Sequence, residues 1–312
     1  MAGTLQPTIR RLRRKMKRMG DAAAGALAIA ALKAIRLVDP DRAANAGACI
    51  LRAIGPLLRE NRIARENLKA AFPEKSDTEI DTILRDTWDN LGRIGAEFAH
   101  LDRLWDYDAA NPGGRSRIEL ADTDIARFNA LLNDGKPALI FAAHLANWEL
   151  PAICARTYGL DSAVLYRRPN VAALKGWVDD TRAPLMGTLI ATGLEAPMTI
   201  SKALERGAHV GMLVDQYYDR GVPVTFFGRE TKANPLLARL AQHFDCPIHG
   251  TRIVRLPGNR FCAKLTEAIT PVRSADGRID VVGTTQAVMT VVEGWIREHP
   301  EQWLWQHRRW RD

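Results

Sequence analysis

Two short uncharged runs constrain the fold of this chain most: Ala138-Leu-Ile-Phe-Ala-Ala143 and Val210-Gly-Met-Leu-Val214. Each has the length of a strand and is apolar on both alternating sets of positions. A strand can be apolar on both faces only where both are covered, as in the centre of a mostly parallel sheet packed with helices. The surrounding pattern agrees. After the break at Asn111-Pro-Gly-Gly114, strands are expected at Ile118–Leu120, Ser162–Tyr166, Ile248–Val254 and Phe261–Ile269, with Val222–Phe227 as a third buried strand. Helices are expected at Asp122–Asn133, Trp148–Thr157, Leu174–Arg182, Met198–Glu205, Asn234–His243 and Thr285–His299. This alternation predicts an α/β fold with a largely buried central sheet flanked by helices.

The chain before that break is helical in pattern. Ser76-Asp-Thr-Glu79 is a capping box, and Ile80, Ile83, Leu84, Trp88, Leu91, Ile94 and Phe98 keep a helical period behind it. Pro73 separates that helix from an earlier one over Ile63–Phe72. The expected division is a membrane-association segment over 1–40 and one catalytic domain over 41–312. Within that domain, 41–110 is a helical lead-in and 115–312 the α/β core.

Charge marks the first segment. The formal net charge is +8. Residues 1–20 hold Arg10, Arg11, Arg13, Arg14, Lys15, Lys17 and Arg18 and no acid, so 8 − 7 leaves +1 for the other 292 residues. Ile9, Leu12, Met16 and Met19 form one apolar stripe on a helix carrying those cations. Ala22–Leu32 follows, eleven residues without charge, short of the roughly 20 needed to span a bilayer. Lys33 and Arg36 return charge at once, which makes a poor signal-peptide cleavage region. The expectation is an uncleaved anchor lying on, or shallowly inserted into, an anionic membrane surface. The plainer alternative is a soluble helix docked on the body. No zinc-finger or RNP-type signature accompanies the basic run, so no nucleic-acid partner is expected.

Cys49, Cys154, Cys246 and Cys262 form no CxxC pair, so they are expected as four unpaired thiols in a reducing compartment. There is no G-x-S-x-G elbow, Walker A sequence, G-x-G-x-x-G or H-E-x-x-H, which removes the main support for serine hydrolase, nucleotide-dependent and zincin chemistry. No metal, nucleotide or other cofactor is expected. What remains is His144-Leu-Ala-Asn-Trp-Glu149, directly after the first buried run. The carboxyl end of a central strand faces the ligand crevice of an open α/β sheet. With His144 in the strand-end turn and Glu149 in the first turn of the next helix, capped by Asn147, a carboxylate would stand behind an imidazole. That pair is a general base for a substrate hydroxyl. The alternative for the pattern alone is a capping histidine with a surface glutamate.

The motif has company. His144-x4-Glu149, then Leu165-Tyr-Arg-Arg-Pro-Asn170, Arg182, Asp215-Gln216 and Phe226-Phe-Gly228, with Arg65-Glu-Asn-Leu68 and Ala71-Phe-Pro-Glu74 upstream and Glu301–Trp310 at the end, resembles the bacterial lipid A biosynthesis acyltransferases. The resemblance covers roughly 60–310. It implies transfer of a fatty acyl chain from an acyl carrier protein thioester to a hydroxyl of a lipid A precursor, at the cytoplasmic face of the inner membrane. It implies His144 as base with Glu149 as partner. Arg182, Asp215, Gln216, Arg167, Arg168 and Asn147 would be substrate-binding. Arg182 would serve the thioester oxyanion or a phosphate, or else pair with Asp179 or Asp180. Asp215 would hold Arg182 or the acceptor, or cap a helix, and one of the doubled arginines would grip phosphate. Phe226 and Phe227 would line the acyl groove or lie in the core. Trp295, Trp303, Trp305 and Trp310 beside Arg308, Arg309 and Arg311 suit a lipid–water interface and a core-closing helix equally. The same chemistry on another lipid hydroxyl, such as a phosphoinositol mannoside, and a non-catalytic membrane-surface scaffold are the competing readings.

Overall fold

A computed structural model describes residue 20 and residues 22–112, 114–169 and 172–311. The basic helix expected around the apolar stripe at 9–19, and Asn170, lie outside the described residues. A helix over 22–35 (α1) leads in, followed by α2 (Pro40–Ile54), α3 (Arg59–Ala71) and α4 (Asp77–Glu97). The capping box that starts α4 forms as expected: Glu79 N donates to Ser76 Oγ at 3.3 Å, and Ser76 N to Glu79 Oε2 at 2.8 Å. α2 lies on α4 through Gly47 and Gly92, where a Cβ on either would collide with the other's backbone carbonyl. Only glycine at both positions lets the two backbones touch.

The α/β part runs β1 (Ile118–Glu119), α5 (Asp122–Asn133), β2 (Leu139–Ala142), α6 (Leu150–Thr157), β3 (Ser162–Tyr166), α7 (Ala172–Arg182), β4 (Thr188–Ala191), α8 (Ala196–Glu205) and β5 (His209–Leu213). It continues through β6 (Val222–Phe226), β7 (Arg229–Ala233), α9 (Leu236–Phe244), β8 (Ile248–Leu256), β9 (Arg260–Leu265) and α10 (Val281–Glu298) to a 3₁₀ turn at Pro300–Gln302. Seven strands form one sheet in the order β1-β9-β8-β2-β5-β3-β4. The pairs β8–β2, β2–β5, β5–β3 and β3–β4 are parallel, and β9 runs antiparallel to β8. The two uncharged runs, β2 and β5, are adjacent near its centre.

Their double-sided apolarity has two causes. Leu139, Phe141, Val210 and Met212 pack into the main core with Ile200 and Leu204 of α8, Leu237 of α9 and Val292 of α10. Ile140, Ala142 and Gly211 point the other way, into a cavity roofed in part by α5 and α6. Sequence and structure differ at four strands. Val222–Phe226 is not a buried strand of the main sheet. It pairs antiparallel with β7 in a separate two-stranded ribbon, and its burial alternates because one face meets solvent. The sequence pattern does not show β7 or β4, the first because Arg229, Glu230 and Lys232 mask it, the second because Thr188–Ala191 is a short edge strand. β9 ends at Leu265, and Ile269 returns only through an isolated bridge to Ile248.

Candidate active site

The parallel register of β2 and β5 creates the site. Ala142 pairs with Leu213, so His144 and Asp215, each two residues further on, leave the sheet side by side. Asp215 Oδ1 sits 2.8 Å from His144 Nδ1, and Oδ2 accepts the His144 backbone N–H at 3.0 Å and the Trp303 indole N–H at 2.7 Å. Asp215 is 1% exposed. Burial opposes its ionisation, but the charge and hydrogen bonds of His144, with the Trp303 N–H, outweigh burial and hold the carboxyl at about 2. An ionised carboxylate only accepts, so Nδ1 carries the proton and the neutral ring presents the Nε2 lone pair. Nε2 faces the cavity mouth, 3.4 Å from Gln216 Nε2.

The carboxylate behind the ring is therefore Asp215, and the expectation that Glu149 stands there is corrected. Glu149 instead holds Arg182 through two bonds, Arg182 Nε to Oε2 at 2.9 Å and Nη2 to Oε1. The guanidinium is also seated over the rings of Phe98 and Tyr166, at 5.4 and 5.7 Å. Arg182 accordingly pairs with neither Asp179 nor Asp180. Asp179 accepts the Tyr166 hydroxyl at 2.5 Å and faces Arg168 Nε at 3.4 Å. The physical reason is helix phase: Glu149 is the residue before α6, aimed at α7 rather than back at the strand end.

Asn147 is not the N-cap of α6; that position belongs to Glu149. Asn147 is fully buried, accepts the Glu149 N–H at 3.2 Å and donates to Glu97 Oε2 at 2.9 Å. It braces the loop from within and does not line the cavity. Glu97 is in turn paired with Arg255, whose Nη1 and Nη2 lie 2.5 and 2.9 Å from its carboxylate oxygens. Phe226 and Phe227 are core residues, with Phe226 wholly buried.

The cavity has a volume of about 830 Å³. His144, Arg182, Gln216, Arg167 and Arg168 line its mouth, and Ser162 and His209, at the starts of β3 and β5, its far end. From His209 to Asp215 is six residues of extended chain, about 20 Å. Between these ends the walls are mostly apolar, with Ile140, Val164 and Gly211 on the sheet and Phe128 and Ala152 opposite. Cys154 also lines it, its thiol pushed up to about 12 by burial. All four cysteines are unpaired, although Cys49 is exposed rather than packed. Among the described residues, no three His, Cys, Asp or Glu side chains are placed to hold a metal ion together.

Sequence reasoning missed Trp303. The terminal tryptophans belong to the core: Trp295, Trp303 and Trp305 are buried, and Arg309 beside them is fully buried too. Their density in the last residues was the available signal. Its meaning required the chain to pass beside the His144 loop, where Ala146 N donates to Gln302 O at 2.9 Å and Leu304 N to His144 O at 3.1 Å.

An orienting carboxylate, a histidine whose Nε2 lone pair lines the cavity and a long apolar cavity suit acyl transfer to a hydroxyl. The family model of the bacterial lipid A biosynthesis acyltransferases matches residues 13–312. The chain is 26% identical over 265 residues to the lipid A biosynthesis palmitoleoyltransferase of Escherichia coli (strain K12), covering 82% of this chain and 80% of that protein. It is similar to the same extent to the lipid A biosynthesis acyltransferase of Shigella flexneri. With the match running almost end to end, the chain belongs to the bacterial lipid A biosynthesis acyltransferase family and is an acyltransferase.

Proposed function

We propose that this protein moves a fatty acyl chain from an acyl carrier protein thioester to a hydroxyl of a lipid A precursor, with His144 as the general base. The observation that carries it is the 2.8 Å contact of Asp215 with His144 Nδ1, which turns the Nε2 lone pair to the cavity, where Gln216 Nε2 is its neighbour at 3.4 Å. The acceptor O–H gives its proton to Nε2 as its oxygen attacks the thioester carbonyl carbon. The tetrahedral adduct then expels the carrier's sulfur as the C–S bond breaks, and the imidazolium returns the proton to that thiolate. Asp215 stabilises the imidazolium between the two steps. Arg182, immobilised by Glu149 and two rings, is the group to offset charge on the thioester oxygen or a substrate phosphate. The buried, fully partnered pair is what a working site requires and a decayed scaffold does not.

The apolar cavity receives the donor's acyl chain. Gly211 sits on its wall opposite Ile140 of β2, and a Cβ there would meet nothing nearer than the Ala163 carbonyl at 4.0 Å. A side chain at 211 fits the strand and projects into the space the chain would fill.

Membrane association is supported by the outer face of α2. Its inner face packs on α4 with Ala43, Ala44 and Ala48 buried, yet Ile50, Ile54 and, just beyond, Leu57 are 56%, 44% and 83% exposed. Arg52 and Arg59 stand beside this stripe, also exposed. Apolar residues ringed by cations suit the surface of an anionic leaflet, here the cytoplasmic face of the inner membrane. No helix among the described residues is long and apolar enough to cross a membrane.

Three measurements test these points. In single-turnover assays with acyl carrier protein donors and a lipid A precursor, folded His144→Ala should lose roughly 10²–10⁴-fold in rate; a near-normal rate removes the general base. Gly211→Leu should shift the donor preference to shorter chains at unchanged fold, and a longest accepted chain equal to wild type would place the acyl group elsewhere. Ile50→Glu/Ile54→Glu/Leu57→Glu should weaken flotation with anionic vesicles at least about tenfold, since each apolar side chain withdrawn from water contributes on the order of 1 kcal/mol. Equal flotation of variant and wild type would put the contact on another face.

A further inference from the structure

The buried end of the chain reaches the reacting pair at one atom. Trp303 is 3% exposed and its indole N–H points at Asp215 Oδ2, 2.7 Å away. It is the one side chain besides His144 bonded to that carboxylate among the described residues. The indole is itself fixed. Its backbone bridges Leu145 antiparallel, with Ala146 N on Gln302 O and Leu304 N on His144 O. Its ring packs against Trp305 and Phe226, with centroids 4.5 and 6.0 Å away.

We infer that Trp303 is a positioning residue of the reaction, holding the Asp215 carboxylate in the one rotamer that keeps His144 aimed at the acceptor hydroxyl. This inference rests on His144 being the base. Asp215 uses Oδ1 for the ring and Oδ2 for two N–H donors, one from the His144 backbone and one from the indole. Without the indole the carboxylate can rotate about its Cβ–Cγ bond, and the ring loses its orientation. A charge-assisted donor also drains basicity from the acceptor. With the donor gone, the His144–Asp215 pair holds its shared proton to higher pH, so the acid limb of activity must move up. That limb reports the pair as a unit.

The other groups facing the pair do not change with the indole. Gln216 and the Trp148 ring, with its centroid 5.1 Å from that of His144, flank the imidazole. The Glu149–Arg182 pair lines the same cavity with no net charge. From the tail come His307, whose pKa burial lowers, and Arg309, which donates to Thr231 Oγ1 and the Lys232 carbonyl over the face of Phe226. Arg311 lies over Tyr217.

The test compares Trp303→Phe with Trp305→Phe. Both keep an aromatic ring. The second removes an N–H that serves only the Pro300 carbonyl, at 2.6 Å. Trp303→Phe should lower kcat/KM about tenfold and move its acid limb up by roughly 0.5–1 pH unit. Trp305→Phe should lower thermal stability and leave the limb where it is. A Trp303→Phe limb superimposed on wild type, or an equal shift in Trp305→Phe, overturns the inference. His144→Ala is assayed alongside. If it turns over normally, the base assignment and this inference fall together; if it is inactive while Trp303→Phe keeps the wild-type limb, the inference alone falls. A readout on the wild-type protein does not depend on the variant folding: the ¹⁵N–¹H indole resonance of Trp303 should titrate through the acid limb, and a flat resonance overturns the inference.

Discussion

The site depends on a register. β2 and β5 are neighbours in the sheet, run parallel and are paired with Ala142 opposite Leu213. His144 and Asp215 are 71 residues apart in sequence, yet they leave adjacent strand ends at the same height. A shift of one residue in that pairing would turn one of the two side chains to the other face. The register is held by the apolar sets of both strands. Leu139, Phe141, Val210 and Met212 must face the main core, and nothing polar could take their places. The residues that bring base and carboxylate together are therefore the aliphatic ones behind them.

The loop after β2 needs support of another kind, because it has no ladder of its own. Ala146 adopts φ of 44°, a left-handed conformation that a side chain disfavours. A polar network spans that turn. Glu97 and Arg255 form a buried ion pair, bonded further to Asn147 of the loop, Asn90 of α4 and, through the Arg255 backbone, Gln302 of the tail. Burying two charges is costly unless their remaining hydrogen bonds are met, and here most are. Three distant pieces of chain thus converge on six residues carrying His144, Trp148 and Glu149. The helical lead-in, the late strand β8 and the last residues all hold the same turn.

Much of this was legible in the sequence, for reasons that differ by element. Uncharged runs such as Leu139–Ala142 and an ordinary capping box at Ser76 announce themselves, because burial and capping are local demands on residue type. β7 was hidden by Arg229, Glu230 and Lys232, which face solvent from a ribbon outside the main sheet. His144, Glu149, Arg182 and Asp215 were each recognisable as polar residues at strand or helix ends. Their pairing was not. Closeness in sequence suggested His144 with Glu149, but pairing is decided by which strands are neighbours, and periodicity carries no such information. The same gap concealed Trp303, whose partner is 88 residues away.

The division of labour between the two carboxylates is the claim on which this account turns. It is tested most directly by introducing Asp215→Ala and Glu149→Ala separately into a His144→Ala background and measuring single-turnover acyl transfer. If Asp215 acts through the ring, its loss should add nothing once the ring is gone. Glu149→Ala should still lower the residual rate, by about the factor it costs in wild type, because it acts through Arg182. The opposite pattern, with Glu149 silent and Asp215 costly in the absence of His144, would contradict the account and return Glu149 to the place behind the imidazole.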